Sequence, residues 1–322
     1  MKKALITGIT GQDGSYLAEL LLEKGYEVHG LVTKLPIIEN LSRFFRIQNI
    51  LPKIILHEGD ITNEPRISDL IHELLPDEIY DLAAIVDPLV SHDTERKILW
   101  NNISGIHNLL GAINAHSPTT KLFFASSSLV FGSPDVSPQD ESTAKRPITP
   151  YGIAKSAGCG LVEMYRKSYG IFACYGILYN HESTRRDLKF LPRKITEGAA
   201  RISAGLQEKL SLGDIDAVRD WGFAGDYVEA MWLMLQQDIP DDYVIGTGKQ
   251  HTVRELLEIA FKTLGLEWQK YVIVDKIFMR QREKYPLIAN NAKAQIQLGW
   301  CPKIDFEELI AGMVKEDIKK II

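Results

Sequence analysis

Ser127, Tyr151 and Lys155 are the residues of this chain whose types and spacing can move a proton and a hydride in one step. In Thr149-Pro150-Tyr151-Gly152-Ile153-Ala154-Lys155 a phenol and an ammonium stand four residues apart, on one face of a helix whose start Pro150 marks. A phenol with its ordinary pKa of about 10 is a poor base near neutrality, and a nearby ammonium stabilises its phenolate. Such a tyrosine can remove the proton of an alcohol while carbon releases hydride to a nicotinamide. The segment Phe123-Phe124-Ala125-Ser126-Ser127-Ser128 reads as a strand whose end offers hydroxyls to orient that alcohol. Ser127 is the candidate; Ser126 and Ser128 are assigned to backbone capping. Tyrosine and lysine at this spacing occur on many helices, so the pair gains meaning only from the elements that position it.

Those elements begin at the N-terminus. The apolar run Ala4-Leu5-Ile6 meets Thr7-Gly8-Ile9-Thr10-Gly11-Gln12-Asp13-Gly14 and then the helical pattern from Tyr16 to Leu22. This is strand, glycine turn, helix. Gly8, Gly11 and Gly14 let the backbone turn tightly and approach a pyrophosphate, whose charge faces the unpaired N–H groups of the helix start. Gln12 and Asp13 lie in the same turn. Further strands are expected at Glu27-Val28-His29-Gly30-Leu31-Val32, at residues 53–57 ahead of Gly59-Asp60, and at Glu78 to Ala84. Alternating strands and helices predict an α/β, Rossmann-type doubly wound parallel sheet. The dinucleotide-binding domain is expected over 1–177, with a return near 220–246. A smaller, interleaved α/β lobe is expected over 178–219 and 247–322, because a polar run follows the strand at Ala173 to Leu178.

Composition narrows the function class. The 322 residues can bury a substantial core, and a net charge of −5 argues against general nucleic-acid binding while leaving room for a local basic pocket. Nothing reads as a membrane span or a signal peptide, since Gly8 and Gly11 break the first apolar segment, so a cytoplasmic location is expected. Cys159, Cys174 and Cys301 lack metal-type spacing, the eight histidines form no ligand pattern, and no metal is expected.

Thr7 to Gly14, Asp60, Leu82-Ala83-Ala84, Asn102-Ile103-Ser104-Gly105 and Tyr151 with Lys155 resemble the extended short-chain dehydrogenase/reductase family. More narrowly, the chain resembles GDP-mannose 4,6-dehydratases over almost its whole length. The stretches Gly11 to Leu17, Pro76 to Tyr80, Gly176 to Ser183, Arg193 to Thr196, Val218 to Gly222 and Leu298 to Trp300 carry the likeness. The resemblance implies a nicotinamide dinucleotide held by Gly8, Gly11, Gln12, Asp13, Gly14, Asp60, Ile61, Leu82, Ala83, Ala84, Tyr151 and Lys155. It also implies a GDP-sugar substrate held by Asn180, Lys194, Arg219 and Arg280. Diphosphates need charge-assisted donors, and arginines supply planar forks.

Three departures modify that implication. The related dehydratases carry a glutamate that removes the sugar C5 proton; Leu129 stands there instead and cannot exchange protons. Oxidation at C4 is therefore expected without loss of water, with the reduced cofactor reoxidised by C4 epimerisation, by release, or by an external keto compound. After the second strand, Val32-Thr33-Lys34 replaces a two-arginine pattern suited to NADP, and no acidic residue follows the strand either. NAD(H) is expected, with NADP(H) the alternative, and a homodimer rather than a tetramer. The stretch Ile85 to Leu89 replaces a more polar one near the sugar, which points to a changed sugar such as a GDP-manno-heptose. Two other readings stand beside this one: a true 4,6-dehydratase using Asp87 or Asp93 as base, and a non-catalytic nucleotide-sugar-binding protein.

Overall fold

In the computed structural model, which describes residues 1–86, 92–275, 277 and 285–321, seven parallel strands form the central sheet. They are β1 (Lys3–Thr7), β2 (Glu27–Val32), β3 (Ile55–Glu58), β4 (Glu78–Asp81), β5 (Lys121–Ser127), β6 (Ala173–Leu178) and, late in the chain, Tyr243–Ile245. Across the sheet the order is Tyr243–Ile245, β6, β5, β4, β1, β2, β3, so the strand order reverses between β1 and β4. Ligands of such sheets bind in the crevice beyond the carboxyl ends at that reversal.

Strand periodicity assigns the two faces. On β1, Ala4 and Ile6 pack with Leu17, Ala18 and Leu21 of α1 (Gln12–Glu23), whereas Leu5 packs with the opposite layer. That second layer comprises α2 (Glu64–Leu74), α3 (His92–His116) and α4 (Pro150–Tyr169), through Ile71, Leu109 and Val162 among others. Each such buried aliphatic contributes about 1.5–3 kcal/mol relative to exposure. α4 has its cap in the sequence: the Thr149 side chain accepts from Gly152 N at 3.1 Å, Pro150 opens the helix, and Gly170 closes it in the left-handed region.

The smaller lobe holds β7 (Asn180–Glu182), α5 (Leu191–Ser203), β8 (Leu210–Leu212), β9 (Val218–Arg219), β10 (Trp221–Phe223), α7 (Val253–Thr263) and α9 (Phe306–Ile321). Between β10 and α7, α6 (Ala224–Leu235) and β11 (Tyr243–Ile245) return to the main unit. β12 (His251–Thr252) pairs antiparallel with β9, and β13 (Val272–Val274) pairs with β8. A separate core of Ile195, Leu256, Leu257, Phe261, Ile310 and Val314 fills this lobe.

Four sequence expectations differ in detail. The third strand starts at Ile55, because Gln48–Lys53 forms a 3₁₀ turn containing Pro52. β4 stops at Asp81, because the Thr7 hydroxyl captures the N–H groups of Leu82 and Ala83 at 3.1 and 3.0 Å. The segment expected to rejoin the sheet near 220–224 pairs instead with β7, Trp221 opposite Asn180. Within 247–322, α8 (Ala292–Leu298) and Trp300 pack back on the main unit, where the Trp300 indole donates to the Asp226 carbonyl at 2.8 Å.

Candidate active site

The glycine turn forms a cradle at the sheet's reversal. Gly8 has φ +70°, and a β-carbon there would lie 2.9 Å from Ala83 N. At Gly14 an added β-carbon would lie 2.3 Å from the Gly8 carbonyl oxygen, so α1 starts directly over the turn. The Gly11 N–H donates back to Gly8 O at 2.9 Å. These close approaches and the helix start fit the pyrophosphate of a dinucleotide. Thr7 donates to Asp81 at 2.6 Å and fixes the floor between β1 and β4. Asn102 clamps the main chain beyond Ala84, its amide bonding Ile85 N at 2.9 Å and Ile85 O at 3.1 Å. Asp60 is exposed at the end of β3, its carboxylate accepting from Thr62 N and Oγ1, and Ile61 is buried against Gly105.

Gln12 and Asp13 use their side chains to join the lobes. Gln12 Nε2 donates to His181 O at 3.0 Å, and its Oε1 accepts from the Ser183 hydroxyl at 2.8 Å. Asp13 Oδ2 meets His181 Nε2 at 2.9 Å, while His181 Nδ1 lies 2.7 Å from Tyr179 O. Both partners are acceptors, so the ring is a double donor and thus an imidazolium. Burial acts to lower the His181 pKa, but Asp13 overrides it and the net shift is upward. Burial likewise opposes ionisation of Asp13, and His181 holds its carboxyl down at about 2. Any contact of Gln12 and Asp13 with a pyrophosphate in this arrangement is left to their main chain.

β5 and α4 carry the three candidate catalytic residues. Ser127 ends β5, and its Oγ accepts from Leu129 N at 3.3 Å, which uses a lone pair and leaves the O–H as a donor. Ser127 therefore does the capping that the sequence assigned to Ser126 and Ser128; Ser126 Oγ instead faces Cys159 Sγ at 3.1 Å, and Ser128 is buried. The Lys155 ammonium sits 4.6 Å from the Phe124 ring centre and 5.6 Å from that of Tyr151. Burial lowers the Lys155 pKa, and Asp81 opposes that fall. Tyr151 departs from the expectation of a lowered pKa. Burial pushes its phenol up to about 12, and the charge that most opposes this is the guanidinium of Arg186, not Lys155.

Leu129 lies in the 3₁₀ turn Ser128–Val130. Its carbonyl oxygen would lie 2.5 Å from a β-carbon added at Gly152, so residue 129 is held beside the first turn of α4 next to Tyr151. Leu129 is 37% exposed and not part of the core.

The residues implied for the substrate come from the smaller lobe. Asn180 starts β7 opposite Trp221, and Arg219 lies two residues earlier on β9, donating to Val218 O at 2.6 Å. Lys194 Nζ donates to Ser211 O at 2.8 Å. Asp220 anchors this edge by accepting from Thr247, Gly248 N and Ala289 N. Asn180 thus faces Trp221 in one strand pair, Arg219 faces His251 in the next, Lys194 lies on α5, and Arg280 and Asp87 lie outside the described residues. The sequence reading missed His181, Glu182, Arg185 and Arg186. Glu182 is buried with its Oε2 lacking a hydrogen-bond partner 3.5 Å from Arg186, and Arg185 pairs both Glu19 oxygens at 2.8 Å. Their one signal was membership in the Gly176 to Ser183 stretch and the polar run after it.

Comparison with known proteins agrees with this geometry. The family model for GDP-mannose 4,6 dehydratase matches residues 5–313. The chain is 45% identical over 326 residues to GDP-mannose 4,6 dehydratase 1 of Arabidopsis thaliana, covering 99% of this chain and 90% of that one. It is 42% identical to the GDP-mannose 4,6-dehydratase of Yersinia enterocolitica, covering 99% and 95%. Among solved structures, UDP-glucose 4-epimerase of Thermotoga maritima superposes with a TM-score of 0.84 at 25% identity, over 99% of this chain and all of that one. A dTDP-glucose 4,6-dehydratase of Bacillus anthracis, solved with NAD, gives 0.84 at 23% identity over 99% and 97%, a likeness of fold. The chain belongs to the GDP-mannose 4,6-dehydratase family of extended, NAD(P)-dependent short-chain dehydrogenases/reductases.

Proposed function

We propose that this enzyme oxidises C4 of a GDP-linked, mannose-like hexose or heptose to the ketone without removing water. One observation supports the reading: Leu129, which cannot take a proton, lies beside Tyr151 and Gly152, at the position where the resemblance implies a glutamate. A bound oxidised nicotinamide supplies the hydride acceptor and a positive charge. Tyr151 takes the C4 hydroxyl proton, Ser127 donates to the same oxygen to fix it, and Lys155 with Arg186 contributes positive charge. Oxidation at C4 removes two hydrogens from the sugar, one as proton and one as hydride. Asn180, Lys194, Arg219 and Arg280 are the residues proposed to hold the GDP.

The relatives' names favour a second reading, 4,6-dehydration, which needs a base other than residue 129. Asp93 is exposed in the first turn of α3. The two readings differ in net redox. A dehydratase returns its hydride to the sugar, whereas a 4-dehydrogenase leaves one reduced cofactor per sugar oxidised. Adding GDP-mannose or GDP-manno-heptose to the enzyme with oxidised cofactor should raise the near-ultraviolet absorbance of reduced nicotinamide. Product formed with no net absorbance change would reject the proposal, and absence of any product with every GDP-sugar would favour a binding protein.

A homodimer is also proposed. The outer faces of α3 and α4 carry Trp100, 68% exposed, with Ile153 and Met164. A β-carbon at Gly160 would meet nothing within 4 Å, so that face also presents a flat site for a neighbouring helix. Among the described residues, no helix is long and apolar enough to cross a membrane.

A further inference from the structure

We infer that Glu58 selects the dinucleotide, favouring the one whose adenosine ribose carries a free 2′-hydroxyl; this rests on the nicotinamide reading of the glycine turn. In sheets of this kind the acid that contacts the ribose follows the second strand. Here β2 ends in Val32 and leads into Thr33-Lys34, so its own strand supplies none. The neighbouring strand does. β3 runs parallel to β2 with Glu58 opposite Val32, and the Gly59 N–H donates to Val32 O at 2.8 Å. Glu58 is exposed, and its Oε2 accepts from Leu35 N at 3.2 Å, which brings the carboxylate across to the loop that follows β2. A charge missing from one strand is thus replaced from the adjacent one.

An ionised carboxylate has about four lone-pair sites, so after bonding Leu35 N it can still accept from a ribose hydroxyl. A 2′-phosphate adds about −1.5 to −2 of charge, which would stand against the Glu58 carboxylate. Two cations share this end of the sheet: Lys34 in the same loop, and Arg66, whose Nε donates to the Glu58 carbonyl oxygen at 2.9 Å. A 2′-phosphate would meet a carboxylate already standing beside the loop, whereas a hydroxyl can donate to it.

The test is fluorescence titration of NADH and of NADPH onto protein freed of bound nucleotide, compared with Glu58→Gln. Glutamine keeps an oxygen that can accept from Leu35 N and removes only the charge. The native protein should bind NADH at least roughly tenfold more tightly than NADPH, the ratio given by about 1.4 kcal/mol. Glu58→Gln should bring the ratio toward unity, chiefly by tightening NADPH. Glu58→Ala, expected to shift the ratio in the same direction, guards against an effect peculiar to the amide. Equal affinities in the native protein, or a ratio unmoved by both substitutions, would overturn the assignment. Binding of neither nucleotide would overturn the cofactor reading and this inference with it.

Discussion

Asp13 and His181, 168 residues apart in sequence, form an ion pair at 2.9 Å that fastens the cofactor turn to the smaller lobe. The folded carboxyl is lowered from 3.8 to about 2, so its stabilisation is present above pH 4 and lost as pH falls toward 2. The folded imidazole is raised above 6.5, so its stabilisation is present below that pH and lost as pH rises through the higher folded value. The pair should therefore contribute most between about pH 4 and 6.5, on the order of 2 kcal/mol from the aspartate. Thermal melts of the native protein and Asp13→Asn across pH should differ most in that window and converge on either side. A difference independent of pH would remove the ion pair from the account.

Tyr151→Phe should lower hydride transfer by roughly 10²–10⁴-fold, because the lost hydroxyl acts on the reacting proton. GDP affinity, measured by calorimetry, should stay within error. With the native phenol held up at about 12 in the empty site, the rate should also rise with pH on the alkaline side. Native-like turnover by the phenylalanine variant would exclude this role.

Gly152→Ala inserts a β-carbon 2.5 Å from the Leu129 carbonyl oxygen, a contact with backbone that cannot swing away. Overpacking of this kind costs about 1–3 kcal/mol and would shift the start of α4, carrying Tyr151 with it. The expected result is a lowered melting temperature and a kcat that falls more than GDP affinity. A variant as stable and active as the native protein would show that this contact does not position Tyr151.

The local parts of the site were legible in the sequence. Gly8 to Gly14 and Thr149 to Lys155 are short segments whose turn, cap and helix spacing can be read locally. Long-range pairing was not legible. Nothing in the neighbourhood of Gln12 announces that its amide bonds His181 and Ser183, and no periodicity tells that Trp300 returns to Asp226. The expectation for Tyr151 failed for a related reason. Spacing placed Lys155 near the phenol, but burial of both groups and the approach of Arg186 are tertiary effects. Leu129 was visible only because a family resemblance says what its position normally holds.

The mass and C6 chemistry of the product decide the central claim. Incubating the enzyme with GDP-mannose or GDP-manno-heptose and excess oxidised cofactor should yield a sugar nucleotide lighter by two hydrogens, a ketone at C4 with its C6 hydroxyl intact by NMR. A product lighter by one water, with C6 reduced to the deoxy form, would contradict the role assigned to Leu129.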